Sequence, residues 1–482
     1  MSTPNTHYGA KAIEKLLDKS RCKRIFFCGV GGINMSSLAH LSILDGYAVV
    51  GSDRTESALT RALEAMGAEI HIGHCADNLS GCDAFVYTVA ISPDNEEYVR
   101  AGEMGLPRIS RADFLGYAMT RRPCRIGISG THGKSTCTAM CHSVYAAANR
   151  DPVVMCGAEM VGASSGGSSC VIGQGDSFIF EACEYMDSFL DFNPTVAVVL
   201  NMEMDHVDYF KDMGQMRRSY LDFANITRKF GEGCVVYNRD CEQTVRALSA
   251  FEGRHITFGV ESEGEGFVAR ELCEERGCYS FNAYLNGEFF ASVKLSVPGK
   301  HNVYNALAAM AVGYVGGISP EDCARGVGEF KGTRRRMEYK GSLSGARVYD
   351  DYAHHPTEIR ASLASARKFS DGRLICLFQS HTYSRTAALL DDFADALSEA
   401  DIAMIAPIYS ARETDTLGVD QYVLADAINS LHKKNDMGKM SFGCGNFDEC
   451  RESLMREMRQ GDTVIVMGAG DVCSIIPEMN LR

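Results

Sequence analysis

The stretch Ile126-Gly127-Ile128-Ser129-Gly130-Thr131-His132-Gly133-Lys134-Ser135-Thr136 decides how this chain is read. β-Branched and small residues run into two glycines, then a lysine and two hydroxyls, and Cys137-Thr138-Ala139-Met140 can continue as a helix. The order is strand, glycine loop, helix N-terminus. Glycines let backbone N–H groups close around a phosphate, and the helix start adds partial positive charge. Lys134 would reach the β- and γ-phosphates, and Ser135 or Thr136 would hold Mg²⁺. The eight-residue phosphate-loop pattern requires glycine five residues before Gly133, where this chain has Ile128, so the loop is a shortened one. The bland alternative is a glycine turn joining strand to helix. The Gly-Lys-Ser-Thr ending counts against it.

Working outward, 482 residues exceed one core and set a prior of roughly three domains. A net charge of −14 leaves no basic field for a nucleic-acid partner, so an anionic substrate would be met by local Arg, Lys and helix ends. Met1 to Ser20 is polar, without the apolar core of a secretion signal. No apolar run reaches the ~18–20 residues that span a bilayer. A cytoplasmic protein without membrane insertion is expected. The nineteen cysteines are scattered with no C-x-x-C, and the closest pair, Cys137 and Cys141, lies one helical turn apart. They read as small buried hydrophobes in a reducing compartment.

Upstream, Arg24–Cys28 reads as a strand, Gly29-Val30-Gly31-Gly32-Ile33-Asn34-Met35-Ser36 as a turn into a helix, and Tyr47–Val50 as a second strand ending at Gly51-Ser52-Asp53. This βαβ unit opens a doubly wound sheet, and Asp53 stands about where an acid would hold a ribose hydroxyl. Asn34 replaces the third glycine, so the turn suits any nucleotide with a diphosphate. A strand over Ala84–Ile91 would carry Thr88 and Ala90 to the ligand edge, although a plain loop reads equally well.

Arg121-Arg122-Pro123 is the joint to a central domain. Residues 157–175, rich in Gly and Ser, read as a mobile surface loop. Phe178–Glu184 is a strand that delivers a carboxylate at Glu181, and Thr195–Leu200 a second that ends in Asn201-Met202-Glu203-Met204-Asp205-His206. In a parallel sheet both ends lie beside the phosphate loop, where a hard carboxylate oxygen suits Mg²⁺. His206 is open between metal ligand and loop histidine. Asn302 and Asn305 share one face at the start of a small-residue helix, either capping it or reading a base.

A third domain begins near Phe330–Arg336, whose three arginines are either solvated or an oxygen clamp. Strands over 347–351, 374–378, 402–405 and 463–467 end in polar turns: Asp350-Asp351-Tyr352-Ala353-His354-His355, Gln379-Ser380-His381-Thr382-Tyr383-Ser384-Arg385-Thr386, Tyr409–Glu413 and Gly468-Ala469-Gly470-Asp471. That is another α/β sheet with a functional edge.

Taken in order, these motifs resemble the Mur ligases, and among them the branch that adds L-alanine. The resemblance covers nearly the whole chain. It implies an α/β protein of three domains: a Rossmann-like UDP-sugar domain (1–119), a central P-loop ATPase-type domain with a mostly parallel sheet (120–332), and a C-terminal Rossmann-like α/β domain (333–482) closing over the amino acid. The reaction implied joins L-alanine to UDP-N-acetylmuramate through an acyl phosphate, at the expense of ATP, with Mg²⁺. By matching positions, Gly130, Thr131, His132, Gly133, Lys134, Ser135 and Thr136 would hold ATP with Asn302, Asn305, Arg336 and Asp351. Ser135 and Glu181 would form the first metal site and His206 a second. Lys134, His206, His381 and Arg385 would be catalytic, the last two on the acceptor side. Gly29, Gly31, Gly32, Met35, Ser36, Ser52, Asp53, Thr88 and Ala90 would bind the UDP-sugar. Asn34, Ser380 and Met337 depart from the usual Gly, Pro and Phe. Leu221 stands where sister ligases carry a carbamylated lysine, so no such modification is expected. The competing readings are a ligase that recycles murein tripeptides, an inactive Mur-like UDP-sugar binder, and an NAD-dependent dehydrogenase. The last leaves the phosphate loop, Glu181 and His206 without a role.

Overall fold

In a computed structural model, which describes residues 3–162, 169–206, 209–411, 413–414, 416–434, 439–479 and 481, the apolar runs become strands of three sheets. The first has five parallel strands in the spatial order Glu69–Ile72, Ala48–Asp53, Arg24–Cys28, Ala84–Tyr87, Arg108–Ser110. The strand at 84 stops four residues short of its expected end. Thr88 turns the chain there, taking Ala90 N–H on its hydroxyl (3.3 Å) and Ile91 N–H on its carbonyl (3.1 Å).

The central sheet has ten strands, ordered Glu288–Pro298, Cys278–Leu285, Phe267–Glu275, Arg254–Gly259, Cys234–Asn238, Val196–Val199, Cys124–Ser129, Ser177–Glu181, Val153–Met155, Cys170–Ile172. Its middle is parallel, and Val153–Met155 pairs antiparallel with Cys170–Ile172. Val196–Val199 is buried throughout, as continuous apolar runs are when helices cover both faces of a parallel sheet. The third sheet orders Glu338–Leu343, Ala346–Asp351, Thr463–Met467, Leu374–Phe378, Ile402–Ile405 and Met440–Gly443, parallel except for its first pair. The fold is thus α/β with three sheets, the central one mostly parallel.

The chain gathers into two compact units: Met1–Arg270 with Ala283–Ala291 and Tyr304–Val327, and Glu271–Asn282 with Ser292–Val303 and Gly328–Arg482. Within the first unit one apolar core runs from Ile25, Phe27 and Val86 of the first sheet, through Phe114 and Tyr117, to Phe180, Phe189 and Phe223 of the central domain. Helix Arg111–Met119 packs so closely that a Cβ on Gly116 would stand 2.1 Å from the Asp191 carbonyl oxygen. The first two sheets therefore share a core across the joint at 119–123. In the second unit Ile359, Leu363, Phe378 and Ile405 form one layer, with Val348, Leu377, Val464 and Val466 in the other. All nineteen cysteines are free thiols, and only Cys75 and Cys273 are exposed. Among the described residues no helix is long and apolar enough to cross a membrane. Of the Gly/Ser-rich loop, residues 163–168 lie outside the described residues, as does Arg412 of the turn at 409–413.

Candidate active site

Strand Cys124–Ser129 carries Ile128 as an internal, fully buried residue paired with Val198 and Glu181, which is why no glycine stands there. The turn begins one step later. Gly130 has φ +136° and Gly133 φ +85°, conformations open to glycine, and helix Lys134–Ala147 follows. A Cβ at Gly133 would lie 2.8 Å from Asn305 Oδ1, so Asn305 packs on the phosphate loop. Asn201, just past Val196–Val199, clamps the loop: its Oδ1 accepts His132 N–H (2.8 Å) and its Nδ2 donates to His132 O (3.0 Å).

Two carboxylates follow strand Ser177–Glu181, and the structure separates them. Half-buried Glu181 accepts the Gly157 N–H at 2.6 Å. Glu184 is fully buried, with oxygens 3.2 and 3.3 Å from Lys134 Nζ, which also donates to Gly130 O (2.5 Å) and Thr131 O (3.2 Å). Burial alone would depress the Lys134 pKa. The Glu184 charge, helped by Cys183 and Glu181, moves it above the usual lysine value instead. Ser135 stands second in that helix, which packs against the strand ending in Glu181; a hydroxyl and a carboxylate are both hard oxygen donors of the kind Mg²⁺ takes. His206 has φ +50°, and its ring lies 4.7 Å from that of Tyr185, tilted by 36°.

At the edge of the first sheet Gly29 turns with φ +79°, where a Cβ would press on Thr88 Cγ2 at 3.1 Å. The Asp53 carboxylate accepts Gly31 N–H at 2.9 Å, so it shapes the turn. The Met35 side chain belongs to the core at 2% exposure, because helix Ile33–Leu44 turns that face inward. Ser36 Oγ donates to Ile33 O (2.8 Å). Ser52 Oγ donates to Glu97 Oε2 (2.6 Å), which also lies 2.9 Å from His74 Nδ1. Sequence reasoning missed Glu97 and His74. Asn95, capping the helix that carries Glu97, was the available signal that a buried acid stands at this edge.

In the second unit the three arginines divide. Exposed Arg334 pairs with Glu338 (3.1 Å). Arg335 donates to Gly468 O (2.6 Å) and Gly470 O (3.2 Å) in one strand-end turn, and its carbonyl accepts Tyr352 N–H (2.7 Å) in another. Arg336 lies 3.6 Å from Glu358, its guanidinium 5.2 Å from the Tyr352 ring centre. Asn302 donates to Pro298 O (2.7 Å), fixing the entry to helix His301–Val315. The His381 ring lies tilted beside Tyr409 (5.4 Å) and meets His354 edge-on (6.2 Å), while Arg385 sits in helix Tyr383–Ala388. Buried Ser380 pairs with Thr386 Oγ1 at 2.6 Å, a hydrogen bond that proline could not make.

Buried Asp351 accepts from Ser362 Oγ (2.6 Å) and Ala353 N–H (3.1 Å). Burial nevertheless pushes its carboxyl up to about 6. Burial also holds His354 down at about 4; Glu358 opposes that, and Arg385 adds to it. Their linkage signs are opposite. Between pH 4 and 6 folded Asp351 binds more proton than the unfolded chain, so its contribution falls as pH rises. Unfolded His354 binds more proton between 4 and 6.5, so its contribution rises with pH. The two offset. Asp351→Asn is expected to remove one side of the balance. Its melting temperature should then fall relative to the wild type as pH drops from 6.5 to 4, by on the order of 2–3 kcal/mol in stability. A constant gap between the two melting curves across that range would refute the assignment.

Three family models match in the order of the three sheets: the Mur ligase family catalytic domain over residues 24–123, the Mur ligase middle domain over 128–313, and the Mur ligase glutamate ligase domain over 335–470. Among curated proteins, the UDP-N-acetylmuramate–L-alanine ligase of Caldanaerobacter subterraneus is 41% identical across 95% of this chain and 97% of its own. The Agathobacter rectalis enzyme of the same name is 40% identical, covering 95% and 98%. Among solved structures, the UDP-N-acetylmuramate-alanine ligase of Thermotoga maritima superposes with a TM-score of 0.78 at 26% identity, covering 95% of this chain and 98% of that one. A murein peptide ligase of Psychrobacter arcticus shares the fold at TM-score 0.67 and 22% identity, covering 95% and 99%. With its phosphate loop, strand-end carboxylates and three sheets each falling within a matched domain, the chain belongs to the Mur ligase family.

Proposed function

We propose that the protein joins the amine of L-alanine to the carboxylate of UDP-N-acetylmuramate, cleaving ATP to ADP and phosphate. The observation that carries this reading is the near-full-length match to relatives named for that reaction. The geometry supports it with two separate glycine turns, at Gly29–Gly32 and Gly130–Gly133, each at the carboxyl edge of its own sheet. One would take a UDP-sugar and the other ATP, an arrangement a dehydrogenase does not need.

In this mechanism the muramyl carboxylate attacks the γ-phosphorus, ADP leaves, and the alanine amine then displaces phosphate from the acyl phosphate. The first step brings two anions together. Lys134 and the backbone N–H groups of the loop offset that repulsion where charge builds up. Mg²⁺, held by Ser135 and Glu181 with His206 for a second ion, would supply further neutralisation. Gly133 lets Asn305 approach the loop, and Asn201 keeps the loop from rearranging as the phosphates enter. Arg336, Asp351, His381 and Arg385 would serve ATP and the acceptor from the third sheet.

The test is phosphate release from ATP with UDP-N-acetylmuramate plus L-alanine, glycine, L-serine or L-Ala-γ-D-Glu-diaminopimelate in turn. Release with L-alanine is expected. Release only with the tripeptide would replace the reading by peptide recycling, and silence with every acceptor would leave a binding protein. Alanine and glycine differ by one methyl, so their discrimination should not exceed about 1–3 kcal/mol.

A further inference from the structure

Lysine offers three N–H donors, and those of Lys134 meet acceptors that differ in freedom. Gly130 O and Thr131 O belong to the phosphate loop itself. Glu184 does not. It stands three residues beyond the strand that ends in Glu181, has no exposed surface, and places both oxygens 3.2–3.3 Å from Nζ. Its backbone is pinned on both sides. Asp187 N–H donates to Glu184 O (3.0 Å), and Ser188 Oγ donates to Cys183 O (2.9 Å). Tyr220, itself fully buried, lies near enough that the Glu184 charge adds to burial in raising its phenol. A carboxylate walled in this way has no route outward with a moving ammonium. Lys134 can release the loop carbonyls and turn toward phosphate while one N–H stays on Glu184.

We propose that Glu184 is the positioning residue of Lys134: a fixed, buried counter-charge that keeps the ammonium aimed at the transferred phosphate. The proposal rests on the ATP-dependent reaction above and divides the labour of the two strand-end carboxylates. Glu181, half-buried and bonded to a backbone N–H, is left for metal. Glu184, committed to lysine, is not. The effect is geometric, since an ammonium displaced by about 1 Å from the phosphate it serves costs about a hundredfold in rate.

Glu184→Gln keeps the shape and an acceptor but removes the charge, and Glu184→Asp keeps the charge but retracts it. For Glu184→Gln the expected result is a kcat about a hundredfold down and tenfold weaker binding of a fluorescent ATP analogue. KM for the UDP-sugar should stay within twofold, while the melting temperature falls, because Lys134 keeps its charge without its buried counter-charge. Glu184→Asp should fall between the two in kcat. A Glu184→Gln enzyme with kcat within threefold of wild type would overturn the proposal. So would a parallel loss of UDP-sugar and ATP-analogue affinity, the signature of a merely structural carboxylate. If the wild type itself released no L-alanine-dependent phosphate, the functional reading would fail instead. The ATP-analogue comparison would still decide the role of Glu184.

Discussion

Lys134→Ala is expected to lower L-alanine-dependent phosphate release by about a thousandfold while UDP-sugar binding persists. The loss follows from removing a preorganised cation aimed at developing phosphate charge. The persistence follows from the first sheet, whose Gly29–Gly32 turn is shaped by Asp53 and Thr88 and makes no use of Lys134. Stability should also fall, because Glu184 would remain fully buried with its charge uncompensated, at a cost of about 3–5 kcal/mol. Lys134→Ala with Glu184→Gln should recover much of that stability and none of the activity. Calorimetric titration with UDP-N-acetylmuramate separates the two losses. Simultaneous disappearance of UDP-sugar binding and turnover in a folded Lys134→Ala protein would refute the assignment of two nucleotides to two sheets.

The second large effect is expected on the other edge. Glu97 is fully buried and accepts from Ser52 Oγ (2.6 Å), Asn78 Nδ2 (2.8 Å) and Cys75 N–H (3.3 Å), with His74 Nδ1 at 2.9 Å. Glu97→Ala would leave Cys75 N–H without its acceptor, while Asn78 Nδ2 keeps Gly73 O (3.1 Å) and Ser52 Oγ and His74 Nδ1, 3.1 Å apart, keep each other. A buried, unsatisfied donor costs about 1–3 kcal/mol, and water entering the gap would relieve part of it. A destabilisation of about 2 kcal/mol is expected, with the UDP-sugar KM up tenfold or more and the KM for ATP within twofold. Glu97→Gln, which keeps two acceptor lone pairs, should lose less than half as much. Equal rises in both KM values would show that Glu97 supports the whole unit and not the UDP-sugar edge.

These two sites also show what the sequence could and could not disclose. The phosphate loop was legible because its parts are contiguous: glycines, Lys134 and Ser135 act at fixed spacing along one turn. The sheets were legible because parallel strands are continuous apolar runs with glycines at their ends. The Lys134–Glu184 contact spans 50 residues and Ser52–Glu97 spans 45, and nothing in local spacing announces either. Met35 shows a related limit: motif position says where the backbone goes, whereas helical phase decides which side chains turn into the core. The triple arginine stayed ambiguous until three neighbouring side chains were seen to have three different surroundings.

The continuous core beneath helix Arg111–Met119, with Gly116 tight against Asp191, has a further meaning. It mounts the turn at Gly29 and the turn at Gly130 on one body. A sugar nucleotide anchored at the first and presenting its carboxylate at the second, as proposed, would therefore be measured against a rigid span. Length would become a selection criterion in its own right: a ligand too short would leave its carboxylate out of range however well its nucleotide fits, and no local adjustment of either turn would make up the difference.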